Sequence, residues 1–111
     1  MGSRGARAKA AGTEAAATFT TVVEPLGGVE SKAMFGGYGI FRVGVMFAIV
    51  DSEGRLYLRA DDTTSPAFES AGSSQHARMP YWELPDDIRD QPEDLLTWAR
   101  TAAEVAARGK R

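Results

Sequence analysis

The chain contains no cysteine and a single histidine, His76. Without thiols it has no disulfide framework and no thiolate metal site, and one imidazole cannot make up a zinc ligand set. Long apolar runs are missing too: nothing approaches the roughly 18–20 residues that span a bilayer. The N-terminal stretch MGSRGARAKAAGTEAAA is basic and alanine-rich but lacks the apolar core of a signal peptide. A cytoplasmic location and no membrane partner are therefore expected. No G-x-S-x-G elbow places a serine nucleophile, and no glycine-rich loop ends in Gly-Lys-Ser/Thr. An excess of one charge is also lacking, since the net charge is −2.

What remains is a composition ordinary for a globular chain, with 43% hydrophobic and 25% charged residues over 111 positions. That length holds one domain with a single modest core. Charge is unevenly spread. Asp61, Asp62, Glu69, Glu83, Asp86, Asp87, Asp90, Glu93 and Asp94 face only Arg78 and Arg89 across residues 61–98, while both chain ends are basic. The acidic half argues against a broad nucleic-acid footprint, which needs clustered Lys and Arg. The paired acids Asp61-Asp62 and Asp86-Asp87 read as helix caps rather than as acid/base catalysts or a cation site.

Hydrophobic spacing predicts the elements. Residues 1–13 lack periodicity and read as a flexible lead-in to a domain over 14–108. From Glu14 to about Leu26, apolar residues at Ala15, Phe19, Val22, Val23 and Leu26 share one helical face, and Gly27 or Gly28 ends it. Lys32 to Ala60 reads as three strands, Ala33–Arg42, Val45–Val50 and Arg55–Ala60, joined by turns at Val43-Gly44 and Asp51–Gly54. Such short connections make an antiparallel meander. A short helix follows, with Ser65 as N-cap, Pro66 in its first turn and Gly72 as C-terminal cap. Arg78–Leu84 is a fourth extended segment, and LPDD is a loop or a single helical turn. The last helix starts from Asp90, with Glu93 three residues on as in a capping box, and buries Leu95, Trp98, Ala99, Ala102 and Ala106. The fold class is α+β: an antiparallel meander sheet with N-terminal, middle and C-terminal helices.

Met34 to Gly39, MFGGYG, packs three glycines into six residues. A dinucleotide fingerprint fails there, because Arg42 takes the third glycine position and strand follows where a helix is needed. Gly36, Gly37 and Gly39 are read as structural, marking a bulge or a close approach of another backbone or helix. His76, in a serine-rich loop, is read as a solvated side chain and not as a general base. One constellation stands out: Arg55, Tyr57 and Arg59 alternate onto one face of a strand, and Arg42 lies across the sheet. Basic residues interleaved with an aromatic can bind single-stranded nucleic acid or an anionic ligand. The competing reading is a half-exposed sheet face, or one whose arginines are paired by acids. No catalytic, cofactor-binding or metal-ligating residue is assigned, and no cofactor is expected.

At these residues the sequence resembles a family. KAMFGGYGIFRVGVMFAIVDSEGRLYLRADD, then SPAFESAG, MPYWELPDD and DLLTWARTAAEVA, is similar in order to the N-terminal domain of the TfoX/Sxy family over about residues 20–107. The resemblance implies an α+β fold similar to that of type III secretion chaperones. It also implies a non-enzymatic protein-interaction domain linked to transcriptional regulation, since longer members regulate natural competence as co-activators with the cyclic-AMP receptor protein. The second, helical domain of those members is not expected in a chain ending at Arg111. Expected partners are a protein, transcription machinery among the candidates, and a second copy of this chain; direct nucleic-acid binding is not expected. Only Ser73–Arg78 stands where family members carry a longer stretch, so a sheet edge is expected to lie exposed there.

Overall fold

The structure, a computed structural model, describes residues 2–34 and 36–109, with residues 2–9 described by backbone alone. Met1, Phe35, Lys110 and Arg111 lie outside the described residues, so the parts of the expected lead-in and first strand that fall on Met1 and Phe35 are not addressed. The element order is α1 (Gly2–Val23), β1 (Val29–Met34), β2 (Gly37–Arg42), β3 (Val45–Val50), β4 (Leu56–Arg59), α2 (Ser65–Ser70), β5 (Tyr81–Glu83), α3 (Asp86–Arg89) and α4 (Pro92–Gly109), with a 3-10 turn at Glu24–Leu26. The five strands form one antiparallel sheet in sequence order. The fold is α+β, as the hydrophobic pattern implies.

The first helix is longer than its periodicity suggests. It begins at Gly2 rather than Glu14, so residues 2–13 are helical. Alanine-rich sequence has the highest helix propensity even where it carries no stripe of large apolar side chains. The end of this stretch is also anchored. A Cβ on Gly12 would sit 3.0 Å from the Asp51 carbonyl, and one on Gly54 would sit 3.2 Å from the Ala11 carbonyl, so the helix and the β3–β4 turn meet backbone to backbone. Thr13 Oγ1 and the Tyr38 hydroxyl share a hydrogen bond of 2.7 Å. The buried stripe is Gly12, Ala16, Phe19 and Val23. Thr20 and Thr21, poor helix formers, donate their hydroxyls to the Ala16 and Ala17 carbonyls at 2.7 and 3.0 Å, which satisfies them within the helix.

The segment from Lys32 to Ala60 holds parts of four strands rather than three. The expected strand Ala33–Arg42 is broken into a hairpin whose last paired residues are Met34 and Gly37, with Gly36 at φ +80° in the connection. The positive φ that glycine permits turns the chain where continuous β propensity would carry it on. A register shift at Ile40/Phe41 then gives β3 an extra residue, Phe47, opposite β2. Val43 and Gly44 close the next hairpin with φ of 50° and 80°. That conformation suits Asn-Gly and strains a β-branched residue, and Val43 is 75% exposed with little burial to offset the strain. Val43→Asn is therefore expected to stabilise the fold by about 1 kcal/mol, read from urea unfolding; unchanged or lower stability would mean that the turn relaxes around valine.

Two neighbouring rows of the register define the two faces. Ser31, Ile40, Ala48, Leu58 and Trp82 lie side by side across the sheet. Ile40, Ala48 and Leu58 are fully buried, and the core they form includes Phe19 and Val23 of α1 and Leu95, Ala99, Ala102, Ala103 and Ala106 of α4. Trp98 is only half-buried and meets Phe68 of α2 edge-on, 5.0 Å between ring centroids. The adjacent row, Lys32, Gly39, Ile49, Tyr57 and Glu83, alternates onto the opposite face.

The remaining differences are local. Helix α2 is capped one residue earlier than expected, at Thr64, and ends in a Schellman turn: Gly72 at φ +80° donates to Glu69 O and Ser73 to Phe68 O. The extended segment Arg78–Leu84 shrinks to Tyr81–Glu83, because Ala77 at φ +52° and the Met79-to-His76 backbone bond form a turn before it. Asp90 does not cap the last helix. It closes α3, and its carboxylate accepts from Arg89 Nε at 3.2 Å. Asp61 does not cap α2 either; its side chain holds the turn that leads into the helix. Its Oδ1 accepts from the Thr63 hydroxyl at 2.7 Å and from the Thr63 and Thr64 amides, and these bonds, the Thr63 hydroxyl foremost, lower its pKa to about 2 from the ordinary 3.8. A depressed folded-state pKa gives stability that is present above the unfolded value and lost as pH falls through the folded one. Acid titration of the wild type between about pH 4 and 2 should thus show a proton-uptake step on unfolding that Asp61→Asn lacks. Identical pH profiles would show that the loop opens before Asp61 titrates.

Candidate interaction face

The sheet face turned away from α1 and α4 is where side chains of functional interest gather. It is built from strand alternation and from two glycines. Gly37 and Gly39 are spaced by two on β2 and so share this face with Phe41. Neither has a positive φ. A Cβ on Gly37 would collide with the Val50 carbonyl oxygen, so the backbones of β2 and β3 approach too closely there for any side chain. A Cβ on Gly39 would lie 2.8 Å from Met46 Sδ, 2.9 Å from Met34 Sδ and 3.1 Å from the Phe41 ring. The missing side chain lets two thioethers and a phenyl ring close over bare backbone. Lys32 Nζ lies over the Phe41 ring, 4.9 Å from its centroid.

Beside the thioethers opens a cleft of about 310 Å³, lined by Met34, Met46, Ile49, His76, Met79 and the Asp51 end of β3, with Gly37 and Tyr38 at its base. Its far wall is made by His76 and Met79 of the 73–80 segment. His76 is not a solvated side chain. Its imidazole packs edge-on against Tyr57, 4.7 Å between centroids at 85°, and its Nδ1 is buried without a hydrogen-bond partner. The main chain holds it there: His76 N–H donates to Tyr81 O at 2.7 Å, and His76 O accepts from Met79 N–H at 3.0 Å. Tyr57 donates a long 3.4 Å bond to Asp51 Oδ2; burial first, then the Asp51 charge, pushes its phenol pKa up. Tyr81 donates to the Met46 carbonyl at 3.1 Å, and burial raises its pKa as well, against the pull of Arg59. Met79 stands 38% exposed at the rim. His76→Ala removes an aromatic edge contact and should cost about 1 kcal/mol, measured by chemical denaturation; a loss of only a few tenths would mean that the loop refills the gap.

Of the four residues singled out as a basic face only Arg55 and Tyr57 come together, both at Asp51, and Arg42 and Arg59 are engaged elsewhere. Arg42 lies one position past Phe41, and its Nε donates to the Leu26 and Gly27 carbonyls at 3.1 and 3.2 Å, where it caps the 3-10 turn. Arg55 is at the other end of the meander and pairs with Glu53 at 3.1 Å and Asp51 at 4.0 Å. Those acids hold its pKa above the usual value, the Glu53 charge contributing most. Tyr57 is buried under His76. Arg59 rests 5.8 Å from the Tyr81 ring with its Nε buried and unpartnered, and its guanidinium reaches the C-terminal end of α4 at Gly109. Of the three glycines, Gly36 makes a turn and Gly37 and Gly39 floor the apolar face. Among the described residues no group of three or more His, Asp or Glu is arranged to hold a metal ion, and no helix is long and apolar enough to cross a membrane.

Five strands in sequence order, flanked by an N-terminal and a C-terminal helix, carry MFGGYG at the first hairpin and YWELP on the last strand. A family model described as the TfoX N-terminal domain matches residues 21–106, which include all five strands, α2, α3 and most of α4. The chain belongs to the TfoX N-terminal domain family. It is also similar to the DNA transformation protein TfoX1 of Aliivibrio fischeri, with 30% identity over 94 residues, covering 78% of this chain. The chain spans 44% of the length of that relative. The whole methionine-lined cleft falls within the matched range of the TfoX N-terminal domain. Sequence reasoning missed Met34, Met46, Ile49 and Met79. The one available signal was the spacing of Gly37 and Gly39, which bares one sheet face beside methionines on both neighbouring strands.

Proposed function

We propose that this TfoX N-terminal domain is a non-enzymatic, cytoplasmic protein-interaction module in the regulation of competence genes. It docks an apolar segment of a transcription-regulatory protein against its outer sheet face. The observation that carries the reading is the cleft of about 310 Å³ with Gly37 at its base and Met34, Met46 and Met79 in its walls. Thioether side chains are unbranched and polarizable, and they adapt to apolar partners of varied shape. The name of the Aliivibrio fischeri relative, a DNA transformation protein, supports the competence link. The family resemblance supports the cyclic-AMP receptor protein as the first partner to try. Nucleic-acid or anionic-ligand binding through Arg42, Arg55, Tyr57 and Arg59 has less support, because Arg55 and Tyr57 turn onto the acid Asp51, Arg42 onto the Leu26 and Gly27 carbonyls, and Arg59 onto Tyr81.

Fluorescence anisotropy with the labelled domain tests this against purified cyclic-AMP receptor protein and, separately, duplex DNA. Binding to the protein should weaken at least tenfold in Met79→Glu, a rim substitution that leaves the core untouched, and in Gly39→Ala, whose methyl displaces the Met34 and Met46 thioethers that wall the cleft. Unchanged affinity in both variants, or binding to DNA alone, would overturn the reading.

A further inference from the structure

We propose that β1 is the seam of a homodimer in which two copies of the chain pair antiparallel about Ser31. This inference is independent of the partner reading, because it concerns the sheet edge and not the cleft.

Among the described residues the sheet has one closed edge and one open edge. The shortened segment does not expose the β5 side. Gln75 bridges to Trp82, Glu83 N–H donates to Ser74 O at 2.8 Å, and His76 N–H donates to Tyr81 O, so residues 74–76 cover β5. At the other side Glu30, Ser31, Lys32 and Ala33 are all exposed. The strand has neither a proline nor a register break along Val29–Met34, two of the devices that blunt an edge, and its edge charges, Glu30 and Lys32, are of opposite sign.

The phase of the free edge is fixed. Val43 N–H donates to Gly28 O at 2.8 Å, so Gly28 turns its backbone groups toward β2. Alternation then turns those of Glu30, Lys32 and Met34 the same way, and leaves Val29, Ser31 and Ala33 with amides and carbonyls pointing outward. Only registers that set outward residues against outward residues close a new ladder. Centred one residue earlier, Glu30 would face Glu30 of the second copy. Centred one residue later, Lys32 would face Lys32. Centred on Ser31, Glu30 of each copy faces Lys32 of the other, twice across the two-fold. These pairs fall at non-hydrogen-bonded positions, where facing Cα atoms are closest, about 4.5 Å. The charges thus select one register and repel its two neighbours. The seam holds about six backbone hydrogen bonds and continues the sheet across both chains. Its two-fold axis runs perpendicular to the sheet, so the helices of both copies lie on one side and both methionine-lined clefts on the other.

Sedimentation equilibrium from about 1 to 500 µM tests the seam. The mass should rise from 11.9 kDa toward twice that value with concentration. Lys32→Glu and Glu30→Lys each place like charges at both pairs and should weaken association at least tenfold. The exchanged variant Glu30→Lys/Lys32→Glu should recover it to within about threefold. All three changes are at exposed positions, and circular dichroism confirms folding. In parallel, amide hydrogen exchange at Val29, Ser31 and Ala33 should slow with concentration in the wild type and not in Lys32→Glu. A wild type that stays at 11.9 kDa throughout would overturn the proposal, as would a dimer indifferent to Lys32→Glu or single variants that the exchange fails to rescue.

Discussion

Gly37→Ala is expected to destabilise the domain by about 3 kcal/mol or more, a loss out of proportion to one methyl group. The methyl carbon would lie well inside van der Waals contact distance of the Val50 carbonyl oxygen, with the Asp51 Cα 3.0 Å away. Both obstacles are backbone. They cannot rotate away as a side chain would, so β2 and β3 must separate or twist, and their pairing from Tyr38↔Val50 onward is the cost. The neighbouring glycines calibrate the effect. Gly36 has a φ of +80°, and a Cβ there would meet only the Ser52 Cβ at an ordinary 4.0 Å, so Gly36→Ala should cost about 1 kcal/mol from backbone strain. At Gly39 the obstacles are the ends of two methionines, which swing aside, and alanine also restricts the unfolded chain; the net change should be under about 1 kcal/mol. Urea unfolding of the three variants should rank them Gly37, Gly36, Gly39 in order of loss. A Gly37→Ala variant no worse than Gly36→Ala would mean that the two strands are farther apart than described.

The sequence is most legible where one face of an element is buried and the other is wet. Helix α4 shows this: Leu95, Ala99, Ala102 and Ala106 repeat at helical spacing and are all buried. The hairpins after β2 and β3 are legible from Gly44 and from Asp51–Gly54, whose residues suit turns, although Val43 does not. Strand β1 is the opposite case. Glu30, Ser31, Lys32 and Ala33 are exposed on both faces, so no alternation separates the strand from its neighbour, and only Gly36 marks the turn. The basic face was legible as a pattern and misleading as a site. Alternation set Arg55, Tyr57 and Arg59 on one side of a strand, but it could not show that His76 covers Tyr57 or that Glu53 and Asp51 take Arg55. The cleft was hidden for the same reason. One of its walls is a loop, and loop placement follows from backbone bonds such as His76 to Tyr81 rather than from any periodicity.

Phe47→Ala should be the most damaging truncation on the helix side, costing about 3–5 kcal/mol. Phe47 is the residue that β3 carries in excess of β2 at the register shift, it is fully buried, and its ring packs 6.1 Å from that of Phe19 in α1. An ordinary strand position would alternate with Met46 and Ala48. The irregularity instead brings an aromatic side chain into the helix-facing core beside Ala48, where the small neighbour leaves room for it. The Phe47 ring is thus a main link between the sheet and α1, and its removal leaves a cavity against Phe19 and Val23 that the rigid strand pairing on either side cannot close. For a domain of this size the loss corresponds to a fall in melting temperature of roughly 15–30 °C. Phe19→Ala should cost a similar amount. The double variant should lose less than the sum, by about 0.5–1.5 kcal/mol, because the ring–ring contact is counted in both single variants. Calorimetry of the four proteins in the cycle checks both statements. Strict additivity would mean that the two rings stabilise separate parts of the core, and a fall of under about 5 °C for Phe47→Ala would mean that α1 collapses onto the sheet and fills the space.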